Sequence, residues 1–218
     1  MKILELRLRG YREWTESLGS DREWKIQSVQ HDLASRLAKV AGEVGSFSIP
    51  YRFDSYILLA DGVSSEGLER VIDSFSKVAP VRVEACWGFG EDYLEALKSC
   101  GSRREYPDTE VLVAHFDLDG FTALSDRTDA FLKVREFARE VEEFFLERGG
   151  LTHYLGGDNV VVFLPPSRKD SVVEFLKGKT GVKVGVGVGK TPREALSVAA
   201  EQLDSIRRAR VWAKRGCT

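Results

Sequence analysis

The chain has 218 residues, 43% of them hydrophobic and 30% charged, with a formal net charge of −2. Those proportions predict a packed globular core and exclude a disordered chain, and the near-neutral balance offers no broad field for nucleic acid or a membrane surface. No run of about 18 apolar residues is present and the N-terminus lacks a signal-peptide pattern, so a cytoplasmic protein is expected.

In chain order, ILELRLRGY reads as a strand in which Leu4, Leu6 and Leu8 alternate with charge. A helix is predicted over roughly Trp24 to Val44, then two extended runs, SFSIPYRF and SYILLADG, with Asp54 between them. A helix over Glu66 to Lys77, a strand VRVEACWGFG and a helical EDYLEALKSC complete the first half. The second half repeats the order. VLVAHFDLDGF is a strand, and TDAFLKVREFAREVEEFFLERG is an amphipathic helix stopped by Gly149 and Gly150. LTHYL, the turn GGDN and VVVFLP form a β-hairpin. SRKDSVVEFLKG is a helix, VKVGVGVG a strand, and TPREALSVAAEQLDSIRRA a terminal helix with Thr191 as N-cap, Pro192 in the first turn and Glu194 as capping-box acid.

Each half is thus β-α-β-β-α-β with an added C-terminal helix, the ferredoxin-like order. The fold class is α+β: two tandem repeats with antiparallel sheets, helices on one face and the other face open. The predicted boundaries are residues 1–100, a linker at 101–108 (GSRREYPD), and 109–218. Alternation turns Leu112, Ala114, Phe116 and Leu118 toward the helices, and Val113, His115, Asp117 and Asp119 toward the open face; Glu5, Arg7 and Arg9 take the matching face in the first half.

The hexads LRLRGY (Leu6 to Tyr11) and FDLDGF (Phe116 to Phe121) are one element written twice with its charge reversed. In this topology the first strand lies beside the third, so Asp117 and Asp158 of GGDN should converge. Two carboxylates with loop carbonyls suit a hard divalent cation such as Mg²⁺, which keeps few protein ligands and holds phosphates as well. The plainer reading of D-G and G-G-D-N is turn chemistry. GVGVGKT is neither a P-loop, since Val184 occupies the required glycine position, nor a dinucleotide fingerprint, since Lys190 stands at its last glycine. Its glycines lie within a strand and predict close backbone approach. Lys190 is either a phosphate ligand at a helix N-terminus or a solvated lysine. His115 is either a general acid/base or a hydrogen-bonded structural residue. The basic run Arg207, Arg208, Arg210, Lys214 and Arg215 is expected to complement a helix C-terminus in solvent. Arg7 and Arg9 either supply positive charge to a triphosphate or pair with acids such as Glu5 or Asp54. Cys86, Cys100 and Cys217, odd in number and without C-x-x-C, argue against a disulfide framework or a cysteine zinc site. Asn159 is the one asparagine and Met1 the one methionine, a depletion that fits a thermophile.

These motifs resemble the palm-type domain of nucleotidyl cyclases, diguanylate cyclases and many polymerases. More closely, the chain resembles the archaeal GTP cyclohydrolase III family, also called GTP cyclohydrolase IIa. The resemblance rests on Tyr11, Trp14-Thr15, Arg52-Phe53-Asp54, Ala114-His115 before Asp117, Gly156-Gly157-Asp158-Asn159, and GVGVGKT with its following helix. It implies a Mg²⁺-dependent hydrolase that opens the guanine imidazole ring of GTP. The implied product is 2-amino-5-formylamino-6-ribosylamino-4(3H)-pyrimidinone 5′-phosphate with two phosphates, feeding flavin and deazaflavin synthesis. It further implies that Asp117, Asp158 and the Leu118 carbonyl, with Asp119 adjacent, hold the metal, and that Gly156, Gly157, Asn159, Lys190 and Arg52 approach the nucleotide. The family's first repeat often reads Asp-Asn-Tyr-Gly-Pro-Trp-Thr where this chain has Arg9-Gly10-Tyr11-Arg12-Glu13-Trp14-Thr15, so the first repeat has lost an acid. Two other outcomes stay open on the same carboxylates: a nucleotidyl cyclase or cyclic-oligonucleotide synthase, and a non-catalytic nucleotide-binding module. A homodimer or higher homo-oligomer is expected, with no nucleic-acid or membrane partner.

Overall fold

The computed structural model describes residues 1–101, 106–119 and 128–215. Residues 102–105 of the expected linker, Gly120 and Phe121 of the second hexad, Cys217, and the side chains of Arg210, Lys214 and Arg215 lie outside the described set. The chain divides into two compact units, Met1–Gly90 with Glu95–Asp108, and Glu91–Leu94 with Thr109–Thr218.

The first unit contains β1 (Lys2–Arg9), α1 (Tyr11–Ser17), α2 (Glu23–Glu43), β2 (Phe47–Pro50), β3 (Ser55–Leu59), α3 (Ser65–Ser76) and β4 (Arg82–Phe89), and α4 (Tyr93–Lys98) follows. Its antiparallel sheet runs β2-β3-β1-β4. Leu4, Leu6 and Leu8 of β1 pack with Leu33 and Leu37 of α2 and with Val71 and Phe75 of α3, as the alternation predicts. Helix α1 is absent from the periodicity reading. Gly10, at φ 80°, turns the chain out of β1 and opens this helix, a backbone state open to glycine without a Cβ penalty. Cys86 and Cys100 form a disulfide with Cα atoms 5.5 Å apart. This corrects the argument from cysteine number: the Trp87–Gly101 bridge folds the chain after α4 back onto β4, a closeness that spacing alone does not reveal.

The second unit contains β5 (Val111–Leu118), α5 (Thr128–Leu146), β6 (Leu151–Gly156), β7 (Asn159–Leu164), α6 (Lys169–Leu176), β8 (Val182–Gly189) and α7 (Pro192–Arg215). Its sheet order, β6-β7-β5-β8, repeats the first. Leu112, Ala114 and Phe116 face Phe137, Val141 and Phe145 of α5 and Phe175 of α6. The Phe116 ring lies 5.4 Å from Phe175 and 5.8 Å from Phe145 between centroids, which anchors the residue before Asp117.

The opposite face of this sheet is not open. Helix α7 lies across β8 and β5. A Cβ built on Gly185 would meet the Ala199 oxygen at 2.0 Å, one on Gly187 the Ala195 oxygen at 2.2 Å, and one on Gly189 the Ala195 nitrogen at 2.6 Å. Alternate glycines therefore let a helix backbone rest directly on the strand. What approaches the glycines is this helix. Its sheet-facing residues Ala195, Ala199 and Leu203 are fully buried. The predicted cap is present: Glu194 N donates to Thr191 Oγ1 at 3.2 Å, while the Glu194 carboxylate accepts from Lys190 N at 2.9 Å.

Candidate active site

Strand register builds the site. Asp117 is paired with Asn159 on β7 and with Lys183 on β8, and His115 with Val161 and Gly185. Asp117, Asn159 and Lys183 therefore share one face at one end of the sheet. The hairpin tip supplies Asp158, whose carbonyl accepts from Leu118 N at 3.2 Å. Gly156 and Gly157 take φ of 104° and 59°, which a side chain would disfavour. A Cβ on Gly156 would meet nothing within 4 Å, so the tip has open space beside it.

Asn159 connects the cluster. Its Nδ2 donates to Asp158 Oδ1 at 2.7 Å, and its Oδ1 lies 3.0 Å from His115 Nε2. An ionised carboxylate only accepts, so this bond fixes the amide orientation and makes Nε2 of His115 the donor. The Nδ1 lone pair of His115 is then buried and has no hydrogen-bond partner among the described residues. Burial pushes the His115 pKa down, so the ring is neutral at neutral pH. His115 is thus held by its bond to Asn159, with Nδ1 out of reach of solvent.

Asp117 is only 4% exposed and is held by two cations. Lys183 Nζ lies 2.7 Å from Asp117 Oδ1 and 2.5 Å from Asp119 Oδ1. Arg207, from α7, donates to Asp117 Oδ2, and its Nη1 lies 3.3 Å from Asp204 Oδ1. Burial raises the Asp117 pKa, but the hydrogen bonds and charges of Lys183 and Arg207 outweigh it and hold the carboxyl below its usual range. Arg207 is thus a correction: it does not stay solvated at a helix end. It occupies the next i+4 position of the stripe Ala195, Ala199, Leu203, and β8 carries Lys183 where the alternation Gly189, Gly187, Gly185 arrives next. Neither cation was singled out for this site by the sequence reading, although those two spacings contain the signal.

The other expected residues fall elsewhere. Lys190, the residue after β8, is exposed and seven residues from Lys183, about 23 Å away at roughly 3.3 Å per residue, so it lies far from Asp117. Arg7 donates to Glu5 Oε2 at 2.6 Å, Arg9 to Glu84 Oε2 at 2.5 Å, and Arg52 to Asp54 Oδ2 at 3.0 Å. Each arginine is paired with an acid of its own unit, the second of the readings left open for Arg7 and Arg9. Glu5, buried and ion-paired, also accepts from Ser55.

Asp117 stands opposite Asn159 in the ladder and Asn159 binds Asp158, so two hard oxygen donors lie at one end of the sheet, and among the described residues no group of three or more His, Cys, Asp or Glu could hold a metal ion. That fits an ion keeping one or two protein carboxylates and completing its shell with water and phosphate, and does not fit an all-protein cage. A cleft of about 510 Å³ opens beside Leu118 and Asp119 against Lys133, Glu136 and Phe137 of α5, a size within the usual range for ligand sites.

Fold and site together define a class: a duplicated ferredoxin-like protein in which one copy of a strand-and-hairpin element carries paired carboxylates and the other carries arginines. The GTP cyclohydrolase III profile matches residues 3–217, and the chain belongs to that family. It is 44% identical to a GTP cyclohydrolase III of Sulfurisphaera tokodaii, covering 95% of this chain and 94% of that protein. It is 33% identical to a GTP cyclohydrolase III of Saccharolobus solfataricus, covering 97% and 98%. Among solved structures, a bacterial light-regulated adenylyl cyclase is similar at a TM-score of 0.43 and 12% identity, over 95% of this chain and 83% of that one.

Proposed function

We propose that this chain is a Mg²⁺-dependent GTP cyclohydrolase that opens the guanine imidazole ring and releases two phosphates. The observation that carries the reading is that strand pairing sets Asp117 opposite Asn159, whose side chain holds Asp158, in a family member matched from residue 3 to residue 217. Asp117 and Asp158 would hold the cation, and when bound it would neutralise the triphosphate and favour attack by water. The chain's own contribution is positional. His115 holds Asn159, Asn159 holds Asp158, and the Leu118–Asp158 bond fixes the hairpin tip to β5. The glycine tip lets a nucleotide approach the backbone without meeting a Cβ. One water adds at C8 and opens the ring with the formyl group retained; two more cleave the phosphoanhydrides.

The test is incubation of the protein with each of the four nucleoside triphosphates and Mg²⁺, with products identified by mass. A formylamino-pyrimidine monophosphate and two equivalents of phosphate from GTP are expected. A cyclic product with pyrophosphate would instead establish a cyclase on the same carboxylates, and binding without turnover would establish a non-catalytic module.

A further inference from the structure

We infer that Arg207 is a displaceable counter-cation of Asp117: it neutralises the carboxylate in the metal-free protein and moves onto the triphosphate when a divalent ion takes its place. This rests on the metal reading of Asp117 and Asp158.

A buried carboxylate requires a compensating charge whether or not a metal is bound. Both Asp117 oxygens are already engaged, Oδ1 by Lys183 and Oδ2 by Arg207. An entering cation must share those lone pairs with two positive groups, so at least one must yield. The two are not equivalent. Lys183 has a side chain 13% exposed, projects from a strand residue paired with Asp117 in the ladder, and is divided between Asp117 and Asp119. Arg207 has a side chain 41% exposed, sits on a helix laid over the sheet rather than in the ladder, and has Asp204 one turn earlier as a second partner. Its guanidinium leaves at lower cost and has somewhere to go. Once released beside a metal-bound triphosphate, its planar fork suits phosphate oxygens, which a lysine ammonium matches less well.

The inference fixes two effects of opposite sign for Arg207→Gln. Removing the competing cation tightens divalent-ion binding, and removing the phosphate partner weakens use of GTP. A residue that merely stabilises α7 would weaken both. The probe is Mn²⁺, titrated by calorimetry or electron paramagnetic resonance in the absence of nucleotide. Mn²⁺ affinity is expected to rise about fivefold or more in Arg207→Gln, the scale of a site-to-site coupling. The KM for GTP is expected to rise by a similar factor, with kcat changed less. Arg207→Lys keeps the charge and should return Mn²⁺ affinity toward the wild-type value while KM stays raised. Unchanged or weaker Mn²⁺ binding in Arg207→Gln, or an unchanged KM, overturns the inference. Wild-type Mn²⁺ binding that Asp117→Asn abolishes leaves the metal reading standing whatever Arg207 does. No Mn²⁺ binding in the wild type or in any variant overturns both.

Discussion

Replacing Gly187 by alanine tests whether the glycine strand exists to seat helix α7. The added methyl would lie 2.2 Å from the Ala195 oxygen, 2.5 Å from the Ala199 nitrogen and 2.9 Å from Val198 Cβ. Two of these atoms are helix backbone, so no rotamer change relieves the clash, and the helix must lift by about 1 Å in an interior packed at crystal-like density. Overpacking of this kind costs about 1–3 kcal/mol. At roughly 2–4 °C per kcal/mol for a chain of this size, Tm should fall by about 2–12 °C. The comparison is Gly42→Ala in α2, where a Cβ would meet nothing within 4 Å. That change should raise stability by about 0.5–1 kcal/mol, because helical glycine is replaced by the best helix former. Thermal melts and urea midpoints with unchanged slopes would read both. A Gly187→Ala protein melting at or above wild type would refute the seating argument.

Other outcomes follow from particular contacts. Asn159→Ala disconnects His115 from Asp158 and should lower GTP turnover by about tenfold or more, as lost support of a ligand does, with Tm nearly unchanged; full turnover would remove Asn159 from the site. At Glu5, burial acts to raise the pKa, but hydrogen bonds from Arg7 and Ser55 prevail and depress it. Its stabilisation is therefore present above the unfolded value of about 4.3 and is lost as pH falls through the lower folded value. Urea titrations from pH 5 to 2 should show a flatter curve for Glu5→Gln than for wild type, and parallel curves would contradict this. The His153 pKa is also depressed, by burial, so the neutral form favours folding and stability declines as pH falls below about 6.5; His153→Gln should lessen that decline in urea titrations that begin at about pH 8. Arg7→Asp would put an acid beside Glu5 and opposite Glu84, so Glu84→Lys should restore at least about 0.5 kcal/mol in a double-mutant cycle, and additivity would deny the coupling.

The strands and long helices were legible because their apolar periods are regular. Leu4, Leu6 and Leu8 in β1 and Phe137, Val141 and Phe145 in α5 each mark one face, and those faces make the two cores. Convergence of Asp117 with the GGDN hairpin was legible from topology, since the order β-α-β-β places first and third strands side by side. Helix α1 was not, because a seven-residue helix with no fully buried residue carries no period to read. The glycines of β8 announced a close approach without naming what approaches. The partner was the helix that follows the strand, whose small residues Ala195 and Ala199 match it. Arg207 escaped for a related reason. A basic residue near a helix end reads as solvated until the strand beneath it is known to carry a buried acid.

That last point bears on why the two copies differ in sign. A charge half-buried in a ladder is tolerated only when its neighbours across the strands compensate it. In the second unit Asp117 stands opposite Lys183; in the first the equivalent Arg7 stands opposite Glu84, with Glu5 behind it. The inversion is therefore not confined to the hexads. Position 84 has changed sign along with position 7, which keeps each ladder neutral while removing one carboxylate of the pair. The hairpin kept more of its form: Asp54 still accepts from Leu8 N at 2.9 Å as Asp158 does from Leu118 N, and Phe53 holds φ 63° where Gly157 holds 59°. A phenylalanine in that left-handed region costs on the order of 1–3 kcal/mol. The first unit thus has the turn of the second unit's hairpin, with an arginine at the strand position where the second unit has Asp117.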